Sequence, residues 1–123
     1  MLEAYSVNIA VGANTNIPFN STSIQKGCTA VKTSADTINL NKCGVYMVEC
    51  DCSASASTTI QLVKDGVLQP QAQGTGSTPS FTTLVQVAEN NSCCPCSSPV
   101  VLQVRNTTAV TLTDVNIVVT KVS

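Results

Sequence analysis

The sequence predicts an all-β protein: an antiparallel β-sandwich of jelly-roll type with about eight to ten strands. Three observations predict it. Apolar residues recur at every second position in several segments, most cleanly from Val45 to Ala54. These segments are short and are separated by turns rich in Gly, Ser and Asn. No segment has a 3.6-residue period, and the chain ends on a long strand rather than a helix. At 123 residues the chain is read as one domain, 1–123, large enough to bury a core.

The first strand is expected in residues 3–11, where Tyr5, Val7, Ile9 and Val11 share a face opposite Ser6, Asn8 and Ala10. Gly12 to Asn16 read as a turn. Ile17-Pro18-Phe19 reads as an edge or a connection, because Pro18 has no N–H for a ladder. Asn20 to Ser23 read as a loop. Segment 1–23 is thus an N-terminal strand and a candidate attachment segment. Residues 24–33 suggest a weak strand broken near Gly27, and Thr37 to Leu40 form a short strand.

The next strand organises the rest. Its even positions, Tyr46, Val48, Cys50, Cys52 and Ala54, are apolar throughout. Its odd positions begin apolar, at Val45 and Met47, and end acidic, at Glu49 and Asp51. After a small-residue loop at 53–57, Thr59 to Lys64 and Val67 to Gln69 flank Asp65-Gly66. A two-residue Asp-Gly between alternating runs marks a hairpin with a type I′ turn. Pro70 to Ser80, rich in Gln, Gly, Ser and Thr, read as a long loop. Phe81, Thr83, Val85 and Val87 share a strand face, and Val100, Leu102 and Val104 another, with Gln103 and Arg105 outward. In the last strand the apolar parity switches from Val110 and Leu112 to Val115, Ile117 and Val119, which calls for a bulge near Thr113-Asp114.

Gly44-Val45-Tyr46-Met47-Val48 resembles the Gly-x-Tyr-x-Val/Phe strand of C1q/TNF-like jelly rolls of the bacterial and phage type. The Asp65-Gly66-Val67 turn and the final strand at Val115 to Lys121 fit the same pattern, and the likeness spans roughly residues 37 to 123. The resemblance implies a homotrimer packed through one sheet face, with the Val45–Ala54 strand at or near a three-fold axis. It also implies a role as a capsid decoration or head-fibre protein of a bacteriophage. The partner would then be the major capsid protein or another virion protein, and the place the virion, assembled in the host cytoplasm and exposed after lysis. On this reading residues 1–23 or one pole of the trimer meet the capsid, while 70–80 and 89–99 face outward. The alternative is a receptor- or glycan-binding module of a fibre tip or a spore-surface C1q-like domain. No collagen-like Gly-x-y stretch precedes the domain, which favours the free-standing virion protein.

Composition bears on chemistry mainly by exclusion. Histidine is absent, so no Ser-His or Cys-His pair and no imidazole base exists. Glu49 and Asp51 share a strand face and read as a wet rim rather than an acid–base pair. Gly74-Thr75-Gly76 is not a phosphate loop, since no helix and no Lys-Ser/Thr follow. Asn20-Ser21-Thr22, Asn90-Asn91-Ser92 and Asn106-Thr107-Thr108 match the glycosylation pattern but read as turn chemistry. Charged residues make up only 11% of the chain and the net charge is −1, with no basic patch for nucleic acid. No segment reaches the ~20 apolar residues that span a bilayer, and the N-terminus lacks the pattern of a signal peptide. The expectation is a non-enzymatic protein with no cofactor, no nucleic acid and no membrane.

The seven cysteines, Cys28, Cys43, Cys50, Cys52, Cys93, Cys94 and Cys96, admit three readings. A metal site would need Cys50 and Cys52 to join the Cys93–Cys96 cluster. Cys-x-Cys on a strand, however, separates the two residues by ~6.6 Å on one face, a poor chelate. Disulfides could join Cys28 to Cys43, or one of Cys93, Cys94 and Cys96 to Cys50 or Cys52, leaving an odd thiol. In the third reading Cys50 and Cys52 are small core residues.

Overall fold

A computed structural model describes residues 1–88 and 99–123 of the chain. Among the described residues there are strands and no helix. The strands are β1 (Leu2–Val11), β2 (Thr15–Asn16), β3 (Ser21–Gln25), β4 (Ala30–Ser34), β5 (Thr37–Leu40), β6 (Gly44–Ala54), β7 (Thr58–Lys64), β8 (Val67–Gly76), β9 (Ser80–Val87), β10 (Val100–Asn106) and β11 (Val110–Lys121). They form two antiparallel sheets. One runs β3-β1-β11-β6-β9. The other runs β4-β5-β10-β7-β8, with β2 added beside β10.

The core lies between the sheets and follows the alternation of the central strands. From β6 come Tyr46, Val48, Cys50 and Cys52. From β11 come Leu112, Val115, Ile117 and Val119, and from β10 Leu102 and Val104, all buried. Burying a side chain of this size contributes roughly 1.5–3 kcal/mol relative to exposure. Tyr46 is wholly buried, and its hydroxyl donates to Lys42 O at 2.8 Å, which satisfies the one polar atom it takes into the core. Tyr46→Phe should therefore keep the fold and lose about 1 kcal/mol in a urea titration.

The hairpin at Asp65-Gly66 has positive φ at both residues, 50° and 82°, as a type I′ turn requires. The parity switch in β11 is a bulge. Leu112 pairs with Ala54 but Asp114 with Ser53, so two residues of β11 face one step of β6.

Three sequence expectations need correction. Tyr5 and Val7 are exposed at 38% and 58%; Leu2, Ala4 and Ser6 turn inward instead. Asn8, in the left-handed region at φ 50°, reverses the alternation so that Val11 is again buried. The reversal lies beside the β11 bulge, since Val7 pairs with Asp114 and Ile9 with Leu112. Ser6 is tolerated inside because its hydroxyl donates to Pro18 O at 2.7 Å and accepts from Asn20 N at 2.8 Å.

The supposed loop at 20–23 is largely β3, and most of the supposed loop at 70–80 is β8. Both are sheet edges, so most of their side chains meet water and carry no apolar alternation. In β8 only Ala72 is buried. Pro70 lies where the register against β7 shifts, between Val63↔Leu68 and Gln61↔Gln73. An edge strand with a bulge is where a residue without an N–H fits a ladder.

Candidate interaction surface

β6 and β11 occupy the middle of the five-stranded sheet, so their outward side chains form the centre of its free face. Register places these residues in rows. Thr120, Met47 and Leu84 lie in one row; Glu3, Val118, Glu49 and Thr82 in the next; Tyr5, Asn116, Asp51 and Ser80 in a third; Val7, Asp114 and Ser53 in a fourth. Directly paired residues stand ~4.5–5.5 Å apart, close enough to act as one surface. Leu84 is 61% exposed, Val7 58% and Tyr5 38%. Met47, Val118 and Val45 are half-buried.

This face is apolar at the Met47–Leu84 end, and its other three rows mix acids with apolar side chains: Glu3 and Glu49 beside Val118, Asp51 in the row of Tyr5, and Asp114 beside Val7. Among the described residues, Glu3 is the one acid of this face with a side-chain partner, accepting from Ser23 Oγ at 2.7 Å. The sequence marked the odd positions of β6 as half apolar and half acidic, and the structure puts them outward. Tyr5 and Val7 were missed as surface residues because the switch at Asn8 is invisible in a pattern of alternation. Leu84 could have been found: it stands on the opposite parity to Phe81, Val85 and Val87.

The cysteines do not converge on a single site among the described residues. Cys50 and Cys52 are buried free thiols on the core face of β6, and Cys28 is an exposed free thiol between β3 and β4. Cys43 is buried and disulfide-bonded. The anticipated Cys28–Cys43 bridge is absent because the Cys28 thiol is free. The backbones there do approach, with Asn41 N donating to Thr29 O at 2.8 Å, but Cys28 is exposed and Cys43 is not. Cys50 and Cys52 likewise take no part in a bridge. Cys93, Cys94 and Cys96 lie outside the described residues, as does most of 89–99. Among the described residues no group of three or more His, Cys, Asp or Glu could hold a metal ion.

Burial pushes the Cys50 thiol well above its usual range, with Cys52 and Asp51 adding to it. Burial, then Asp114 and Asp51, pushes Cys52 up to about 11. Both are therefore protonated and shielded at neutral pH, and the thiolate is the reactive form. Iodoacetamide on the native protein should label Cys28 and spare Cys50 and Cys52, which should react only in denaturant; peptide mass mapping reads the difference. Native labelling of either buried thiol would show that β6 leaves the sheet far more often than its packing allows.

Two antiparallel sheets in this order, closed over one core, define a jelly roll of the C1q/TNF-like type. Comparison with solved structures places three proteins with the same fold beside it. The globular domain of zebrafish complement 1qA superposes with a TM-score of 0.75 at 8% identity, covering 99% of this chain and 96% of that one. Eiger TNF from S. frugiperda gives 0.71 at 10% identity, covering 99% and 92%. The vertex protein P5 of phage PRD1 gives 0.69 at 14% identity, covering 99% of this chain and 72% of P5. At these identities the likeness is one of fold. No protein-family model matches the sequence, and no curated protein matches it.

Proposed function

We propose that this chain is a non-enzymatic structural protein of a phage virion, a homotrimeric capsid decoration or head-fibre protein bound to the outer capsid surface. The outward face of the five-stranded sheet is the contact between copies. The observation that carries this reading is the row structure of that face, which leaves Leu84, Val7 and Tyr5 exposed beside Met47 and Val118 on the two central strands and their neighbours. Exposed apolar side chains clustered on one sheet face are what an association partner covers. The fold shared with a phage vertex protein supports the virion setting. No cofactor enters this reading, and the absence of histidine in the sequence supports a role without acid–base catalysis.

Sedimentation equilibrium should give a mass of about three times that of one 12.8 kDa chain. Leu84→Asp should shift the protein toward monomer while leaving its far-ultraviolet circular dichroism unchanged, because Leu84 adds little to the core. A wild-type protein that stays monomeric at high concentration would sink the trimer. Quantifying the protein on purified particles tests the capsid role, which requires a fixed ratio to the capsid lattice.

One observation favours a second reading, a receptor- or glycan-binding module. The outward face of the other sheet aligns Gln73, Gln61, Arg105 and Asn16 in one row of carboxamides around a single guanidinium. Such groups match sugar hydroxyls and carboxylates. A glycan array that retains the wild type and loses Arg105→Ala would support it.

A further inference from the structure

The charged side chains in the rows of the trimer face are all acidic. Glu3 on β1, Glu49 and Asp51 on β6, and Asp114 on β11 all lie in its rows, more than half of the chain's seven acidic residues. The other elements of the sheet add no cation. β9 presents Thr82, Leu84 and Gln86, and β3 consists of Ser21, Thr22, Ser23, Ile24 and Gln25. Tyr5 is the other titratable side chain in these rows, and the Met1 ammonium stands at the β1–β3 edge beside them, donating to Lys26 O at 3.0 Å. The six basic side chains lie outside the rows. Lys32 bonds to Phe19 O, Lys64 to Gln86 O and Lys121 to Ser123 O; Arg105 is on the opposite sheet, and Lys26 and Lys42 lie in connections.

Resting on the homotrimer reading above, we propose that assembly through this face is charge-regulated: carboxylates of neighbouring copies oppose it, and screening by salt promotes it. The apolar rows draw three copies together. Each copy brings Glu3, Glu49, Asp51 and Asp114 toward the others with no opposite charge to receive them. Like charges at an interface oppose docking, and repulsion between partly exposed groups weakens as the Debye length shrinks from about 14 Å at 0.05 M salt to about 4 Å at 0.5 M. The sign is the reverse of an assembly held by salt bridges, which salt would loosen.

The test is sedimentation equilibrium of the full chain in sodium chloride, chosen because it strengthens apolar association less than sulfate does. Raising salt from about 0.05 to about 0.5 M should lower the concentration for half-assembly by about tenfold. The double variant Glu49→Gln, Asp51→Asn should assemble at lower concentration than wild type in low salt and respond much less to salt. Both residues are exposed, so the variant should keep its fold, and circular dichroism confirms that. A trimer indifferent to salt, or loosened by it, overturns charge regulation and leaves the trimer standing. A chain monomeric under every condition overturns the trimer and this inference with it. A double variant with the full wild-type salt response assigns the effect to other charges and also overturns it.

Discussion

Gly74→Ala is expected to cost about 2–3 kcal/mol or more, which would lower Tm by an amount on the order of 10 °C. A Cβ at this position would clash with Ser80 O and stand 2.7 Å from Ser80 N. Both are backbone atoms, so no side-chain rotation relieves the clash. Gly74 pairs with Ile60 in one sheet, and Ser80 with Asp51 in the other. The contact is therefore where β8 and β9 close one side of the sandwich. The segment between them is also tied down, since Ala54 N donates to Ser77 O at 2.7 Å and Cys52 N to Pro79 O at 3.1 Å. Making room for one methyl would pull these bonds or push β8 off β7. Gly66→Ala is the control: its Cβ meets nothing within 4 Å, and it suffers only the strain of φ +82°. It should cost about 1 kcal/mol. Chemical denaturation of the variants at one protein concentration separates these effects from any change in assembly. A Gly74→Ala protein as stable as wild type would mean that this corner yields freely.

Why Gly74 read as part of a loop follows from what an edge strand needs. β6, β10 and β11 bury alternate side chains on the core, so their period was legible and so were the bulge at Thr113-Asp114 and the hairpin at Asp65-Gly66. β3 and β8 are held mainly by backbone pairing to one neighbour. A backbone bond leaves no trace in side-chain type, and Ser-Thr-Ser or Gln-Pro-Gln reads as loop in either setting. The candidate surface was half legible for the same reason. Met47, Glu49 and Asp51 followed from the alternation of β6. Tyr5 and Val7 depended on one left-handed residue, Asn8, which reverses the face of β1 and which no periodicity announces. The resemblance to C1q/TNF-like domains drew on Gly44 to Val48 and the hairpin, which lie in the central strands where packing fixes residue type.

The end of the sandwich opposite the Asp65-Gly66 turn hangs on Asn106, and Asn106→Asp should show this through pH. Asn106 is wholly buried. Its Nδ2 donates to Thr108 O at 2.6 Å and Gly12 O at 3.2 Å, while its Oδ1 accepts from Thr58 Oγ1 at 2.5 Å. Thr58 Oγ1 in turn accepts from Thr108 N at 3.3 Å. One carboxamide thus joins the start of β7, the end of β10 and the turn after β1, and its donor and acceptor sides are both used. An aspartate has the same shape but, ionised, puts a second acceptor against two carbonyl oxygens in a site without a cation among its bonded partners. The folded state would hold that carboxyl above its unfolded value. It would bind a proton that the unfolded chain has released, so stability should fall as pH rises through the unfolded value near 4 and level off above the folded one. The loss at neutral pH should be about 3 kcal/mol, with a good part recovered below about pH 4 relative to wild type under the same conditions. Asn106→Ala should be destabilised by a similar amount with no such pH dependence, because it strands Thr58 and the two carbonyls without adding a charge. Urea titrations of the three proteins between about pH 4 and pH 8 distinguish the cases. An Asn106→Asp protein that tracks wild type across that range would show that the network is not what closes this end of the fold.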